Sequence, residues 1–136
     1  MKAPFPLPPA GKVLGVGCDL VEVSRIRESH QRHGQPFLDK VYSQDEQTYC
    51  LQQPDPYPSL AARFAAKEAV AKAFSTGIGE HLGWKSATIA HGERREPLVK
   101  LHGKASDLLQ DLGGRTVRIS LSHTGATAMA IVLITE

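Results

Sequence analysis

The chain has 136 residues, 41% of them hydrophobic and 22% charged, with a net charge of +2. That suits one compact domain with a real core and is short for two. The charge lacks the strong footprint of a nucleic-acid domain, no apolar run approaches the roughly 20 residues needed to span a bilayer, and two cysteines argue against a disulfide framework and for a reducing compartment.

Residues 1–11 contain four prolines and one lysine, without the apolar stretch of a secretory signal. They are expected as a flexible leader on a cytoplasmic protein whose single domain spans residues 12–136. Lys12 to Leu20 reads as the first strand: Val13, Leu14 and Val16 are β-prone, while Gly15 and Gly17 let another backbone or a ligand come close. Asp19 is expected at the strand end, where a lone aspartate serves either as a ligand-facing carboxylate or as a turn or helix cap.

Ser24 to His33 is expected to be helical, with Arg25, Arg27, His30, Arg32 and His33 crowded onto it. The cluster is either a solvated face or a docking surface for an acidic partner. Gly34-Gln35-Pro36 marks its end. Ser43 with Glu46 forms a capping box, so a short helix should run to about Gln53.

After a proline-rich break, Ser59 is expected to cap a long, alanine-rich helix running to about Ser75 and stopped by Gly77. On that helix Arg63 stands beside Lys67, and Glu68 beside Lys72. These charges make either an anion site or a solvated face.

Leu82 to His91 is expected as a strand, with Trp84, Ala87 and Ile89 as core candidates. A polar turn leads to a short strand, Leu98 to Leu101. Gly103 to Leu112 is helical, with Ala105, Leu108, Leu109 and Leu112 on one face. Arg115 to Ser122 alternates as a strand. His123-Thr124-Gly125 turns into a closing strand, Thr127 to Ile134, apolar enough to be buried on both faces. The fold class is α+β, with one long central helix packed on a small, mainly antiparallel sheet.

Generic chemical signatures are few. There is no dinucleotide or P-loop, no Cys-x-x-Cys pair and no zinc-ligand spacing. Ser122 and His123 are adjacent and so point to opposite faces of a strand, which is not a triad. Asp19 and Glu68, on different elements, could together hold one Mg²⁺, which prefers oxygen ligands, with lysines neutralising a phosphoryl group. Alternatively Glu68 and Lys72 are an exposed pair worth a few tenths of a kcal/mol.

The segments Gly15 to Ile26 and Arg63 to Phe74, then Thr76-Gly77-Ile78-Gly79 and Ser122-His123-Thr124, resemble the holo-[acyl-carrier-protein] synthases, the small stand-alone branch of the 4′-phosphopantetheinyl transferases. The resemblance covers about residues 12–135 and implies the fold of that family. It also implies transfer of 4′-phosphopantetheine from coenzyme A to a serine of apo-acyl carrier protein, releasing adenosine 3′,5′-bisphosphate.

On this resemblance Asp19 and Glu68 are ligands of Mg²⁺, and Asp19, Glu68 and Lys72 are the catalytic residues. Arg63, Lys67, Lys72, Thr76, Gly77, Ser122, His123 and Thr124 align with positions at the coenzyme A phosphates. The serine proton goes to Glu68 or to a water held by the metal and Asp19. Arg25 and Arg32 align with the docking surface for the carrier protein. A homotrimer with active sites between subunits is implied, with neither nucleic acid nor membrane as a partner.

The chain departs from the family's pattern in places. Ser75 and Arg95 stand where glycines are usual, the second in a Gly-x-Pro that approaches the nucleotide. Cys18 replaces a common threonine and reads as a packing residue. A binding module without transfer and a nucleic-acid-binding domain are the competing readings.

Overall fold

The computed structural model describes residues 3–6 and 11–136. Much of the expected leader therefore lies outside the described residues. The elements, in chain order, are β1 (Val13–Glu22), α1 (Val23–His33), α2 (Gln35–Val41), α3 (Gln44–Leu51), α4 (Tyr57–Ala73), β2 (Ala87–His91), β3 (Pro97–Leu101), α5 (Lys104–Asp111), β4 (Thr116–His123) and β5 (Thr127–Thr135).

β1, β5 and β4 form a three-stranded antiparallel sheet in that order, and β2 and β3 form a separate antiparallel hairpin. This is the α+β architecture expected, with α4 lying across β1 and β5. No helix of the described residues is long and apolar enough to cross a membrane.

α4 is buried nearly all the way round, including Ala61, Ala62, Ala65, Ala66, Ala69, Ala71 and Ala73. A helix with so few large side chains can lie with its backbone almost on the sheet. β1 meets it with glycines. A Cβ on Gly17 would overlap the Ala69 carbonyl oxygen and stand 2.7 Å from the Ala73 amide nitrogen, and one on Gly15 would overlap the Ala73 carbonyl oxygen. The strand glycines are thus required by close backbone approach.

Several expected boundaries move. The capping box at Ser43 is formed from both sides: Glu46 N donates to Ser43 Oγ (3.2 Å) and Ser43 N donates to Glu46 Oε1 (2.9 Å). Ser59, by contrast, does not cap α4. The helix already begins at Tyr57 and carries Pro58 in its first turn, where the missing N–H costs nothing. Gly34-Gln35-Pro36 ends α1 as expected, yet Pro36 also opens α2.

The strand expected from Leu82 begins only at Ala87, because residues up to Ser86 form turns that place Leu82 in the core. β5 is not buried on both faces. Ala128, Ala130, Val132 and Ile134 face α4, whereas Ile131 on the outer face is 40% exposed. Val16 and Leu20 of β1 lie on that same outer face, at 62% and 65% exposure.

α4 ends in a turn where Ser75 takes φ 61° and Gly77 φ 66°, and Arg95 in the β2–β3 turn takes φ 62°. Both non-glycine departures from the family's pattern therefore occupy left-handed backbone, which explains why glycine suits those positions.

Candidate active site

Asp19 stands within β1, three residues before its end rather than at it, on the face shared with Gly15, Gly17 and Val21. The flush contact of the glycines with α4 brings the next residue on that face, Asp19, alongside Glu68 and Lys72. Lys72 Nζ donates to Asp19 Oδ1 at 2.9 Å and to the Cys18 carbonyl oxygen at 3.2 Å. That hydrogen bond, with the charge of Asp19, pushes the Lys72 ammonium above the ordinary lysine value.

Glu68 is half-buried. Burial first, and then the Asp19 carboxylate, raises its carboxyl above the ordinary value, against the opposing pull of Lys72 and Arg25. Two carboxylates within electrostatic reach, with a lysine on one of them, form a compact charged site open to solvent.

The donor set suits a hard divalent cation: carboxylate oxygens, no imidazole and no thiolate side chain turned to it. Among the described residues no group of three or more His, Cys, Asp or Glu converges. Only two protein ligands are on offer, so water or substrate oxygens would fill the remaining positions, as is usual for Mg²⁺.

Lys67 does not belong to this site. Its side chain is 1% exposed, and its ammonium donates to Glu46 Oε1 (2.9 Å) and to the Trp84 and Ala87 carbonyl oxygens (2.9 and 2.8 Å). All three N–H groups are spent within the chain, which corrects the expectation that Lys67 contacts a phosphate. The cause is angular: Lys67 and Glu68 stand about 100° apart on α4, and the Lys67 side faces α3 and β2.

Arg63 shares that side, one turn earlier. It is 3% exposed, its guanidinium lies 4.5 Å from the centre of the Tyr49 ring, and Nη1 donates to the Ser59 carbonyl oxygen at 3.4 Å. Glu46 is the residue that sequence reasoning undervalued. Beyond capping α3, its Oε2 accepts from Ile89 N at 3.0 Å. One carboxylate thus ties α3, α4 and β2 together, and nothing in the capping-box signature marks that.

A family model described as the 4′-phosphopantetheinyl transferase superfamily matches residues 15–128. The chain belongs to the 4′-phosphopantetheinyl transferase superfamily. A holo-[acyl-carrier-protein] synthase from Chlamydia trachomatis serovar D is 44% identical over 121 residues, covering 89% of this chain and 98% of its own. The crystal structure of holo-[acyl-carrier-protein] synthase from Neisseria meningitidis superposes with a TM-score of 0.85 at 31% identity, covering 92% of this chain and 100% of that one. The Helicobacter pylori synthase in complex with coenzyme A superposes at 0.79 with 28% identity, covering 88% and 99%.

Other residues singled out for this superfamily lie apart from Asp19. Thr76 and Gly77 form the turn just after α4, where the Thr76 hydroxyl donates to the Ala71 carbonyl oxygen at 3.3 Å. Ser122 and His123 end β4, which β5 separates from β1, and both are exposed. Thr124 Oγ1 accepts from the amides of Ala126 (3.2 Å) and Thr127 (3.1 Å), holding the β4–β5 turn. Within one chain, then, Ser122, His123 and Thr124 are not brought to the carboxylates.

Arg25 and Arg32 stand seven residues apart, on one exposed face of α1. A concavity of about 530 Å³ lies between β3 and β4 and includes Glu96, Pro97, Lys100 and Arg118. It contains none of Asp19, Glu68 and Lys72, where the Lys72 side chain is 52% exposed and that of Asp19 16%.

Proposed function

We propose that this chain transfers 4′-phosphopantetheine from coenzyme A to a serine of apo-acyl carrier protein in a Mg²⁺-dependent reaction, releasing adenosine 3′,5′-bisphosphate. The observation that carries the reading is the convergence of Asp19, Glu68 and Lys72 in a chain of this superfamily. Asp19 and Glu68 would hold Mg²⁺, which when bound supplies charge neutralisation at the pyrophosphate of coenzyme A.

Lys72 can meet negative charge as it develops on the transferring phosphoryl group, since its side chain is exposed and Asp19 and the Cys18 carbonyl take only two of its three N–H groups. The serine oxygen forms the new bond to the β-phosphorus as the bond to the departing bisphosphate breaks. The serine proton goes to Glu68 or to a water held beside Asp19.

A homotrimer would complete the site. The outer sheet face with Val16, Leu20 and Ile131 supplies an apolar surface for a second copy, and the openness of the carboxylate site leaves room for that copy's Ser122, His123 and Thr124 to meet the phosphates. Thr76 and Gly77 would border the coenzyme A path on the first copy. Arg25 and Arg32 would dock the acidic carrier protein, and a cytoplasmic location suits both substrates.

The test is a mass spectrum of apo-acyl carrier protein after incubation with the protein, coenzyme A and Mg²⁺. A mass gain of one phosphopantetheine is expected, lost on chelation and in Asp19→Ala and Glu68→Ala. Robust transfer by both variants would overturn the metal assignment.

A further inference from the structure

The three arginines of α1 are held differently. Arg27 lies 5.2 Å from the centre of the Tyr57 ring, and its charge is met by Asp55 at 3.9 Å. Arg32 makes neither kind of contact among the described residues. Arg25 lies 5.6 Å from the centre of the Phe64 ring and has no carboxylate within ion-pairing distance among the described residues. Its guanidinium is therefore positioned by an aromatic face while its charge stays available.

Phe64 is itself fixed. It is 6% exposed, and its ring centre is 4.6 Å from that of Trp84 at an interplanar angle of 33°. Trp84 is anchored through its backbone, because its carbonyl oxygen accepts from Lys67, which is paired in turn with buried Glu46. A continuous series of contacts thus runs from a buried ion pair, through Trp84 and Phe64, to a free cation. Phe64 also stands one turn before Glu68 on the same side of α4, so the series ends beside the candidate active site.

We propose that the Trp84–Phe64 stack is a positioning element that presents Arg25 to the acidic surface of the carrier protein at the edge of the Asp19–Glu68 site. The proposal rests on the transferase reading above and names a specificity element for it. A free arginine side chain loses much rotamer freedom when it docks. An arginine already seated on a ring has lost part of that freedom on folding, so association costs less. Trp84 is the chain's one tryptophan, so its emission reports on this stack without any label.

Two measurements test it. In the first, a tryptophan-free apo-acyl carrier protein is titrated into the full chain without coenzyme A, and Trp84 emission is recorded beside a calorimetric binding isotherm. A saturable change that follows the isotherm is expected, and it should be lost in Arg25→Glu but persist, with weaker binding, in Arg32→Glu. Calorimetric saturation without any change in emission overturns the proposal, and needs no substitution that could unfold the chain.

In the second, Trp84→Leu, which takes away the ring that holds Phe64 under Arg25, should raise KM for the carrier protein by about two- to fivefold, the worth of the Arg25–Phe64 contact it loosens, with kcat and KM for coenzyme A held. Trp84→Phe should restore the wild-type value. An equal rise in both KM values, or no rise in either, overturns it. Absence of transfer by the wild-type chain would instead remove the transferase reading, while the emission titration would still report whether the stack senses the carrier.

Discussion

Lys67→Met is the substitution that separates structure from catalysis on α4. The side chains of Lys67 and Glu46 are each 1% exposed, and the Lys67 ammonium has three acceptors, one of them the Glu46 carboxylate at 2.9 Å. Methionine fills most of the same volume, so the cavity contribution is small. What remains is a buried carboxylate with its cation removed, and one buried and one part-buried carbonyl without this donor.

Breaking a buried pair in this way costs about 3–5 kcal/mol. Glu46 keeps its hydrogen bonds from Ser43 N and Ile89 N, which puts the expected loss at the lower end, about 3 kcal/mol. Glu46→Gln should cost about 2–3 kcal/mol, since the amide can still accept but the ammonium is left buried without its counter-charge. The double variant should be less destabilised than the sum by about 2 kcal/mol, because each substitution removes the reason the other is costly. Urea unfolding monitored by circular dichroism measures all three, and coenzyme A kinetics are run on the same preparations below their unfolding range. A loss under about 1 kcal/mol for Lys67→Met, with a tenfold rise in KM for coenzyme A, would refute the internal role and return Lys67 to the phosphates.

Glu68→Gln should raise the thermal midpoint of the metal-free protein at pH 7 while abolishing transfer. The carboxyl is raised in the folded state, so folding disfavours its charged form, and that penalty is present above the folded value and gone below the unfolded one. The gain should therefore vanish near pH 4; a gain independent of pH would count against charge as its origin. Ser75→Gly and Arg95→Gly should each stabilise by about 1 kcal/mol, measured by urea unfolding, because both positions hold left-handed backbone. Gly17→Ala should cost about 3 kcal/mol or more and reduce transfer, since α4 must lift from β1; retention of both stability and activity would show that the contact is not needed.

Most elements were legible because they carried a local signal: glycine-interrupted β-prone residues in β1, the capping box before α3, alternation in β4. α2 was not, because Gly34-Gln35-Pro36 reads as the stop of α1 and hides that Pro36 also starts a helix. The strand expected from Leu82 was too long because Leu82 and Trp84 are apolar for tertiary reasons, in turns that happen to face the core. β5 looked buried on both faces because apolar composition does not distinguish burial within one chain from a face left open, as at Ile131.

Asp19 and Glu68 were found through the resemblance, whereas spacing alone left Glu68 as either ligand or surface pair. The convergence of Lys72 with Asp19 follows from the glycines, whose need for close approach could be read in advance. Lys67 was misassigned because a lysine in a charged cluster reads as solvent-facing. Its partner Glu46 lies 21 residues away, accounted for by its cap, and the desolvation that lowers the Lys67 value leaves no mark in the sequence.

The meeting of Gly15 and Gly17 with α4 also bears on how this protein can drift over time. The separation of the Asp19 and Glu68 carboxylates is set where backbone touches backbone, at the carbonyl oxygens of Ala69 and Ala73. Side chains of the core can change size, and the loops can change length, without entering that contact. A lineage can therefore change much of its core and loop sequence while the ruler that spaces Asp19 from Glu68 stays constant. Apart from the charged residues of the site and the Lys67–Glu46 pair, the positions least open to change should be two without a side chain at all.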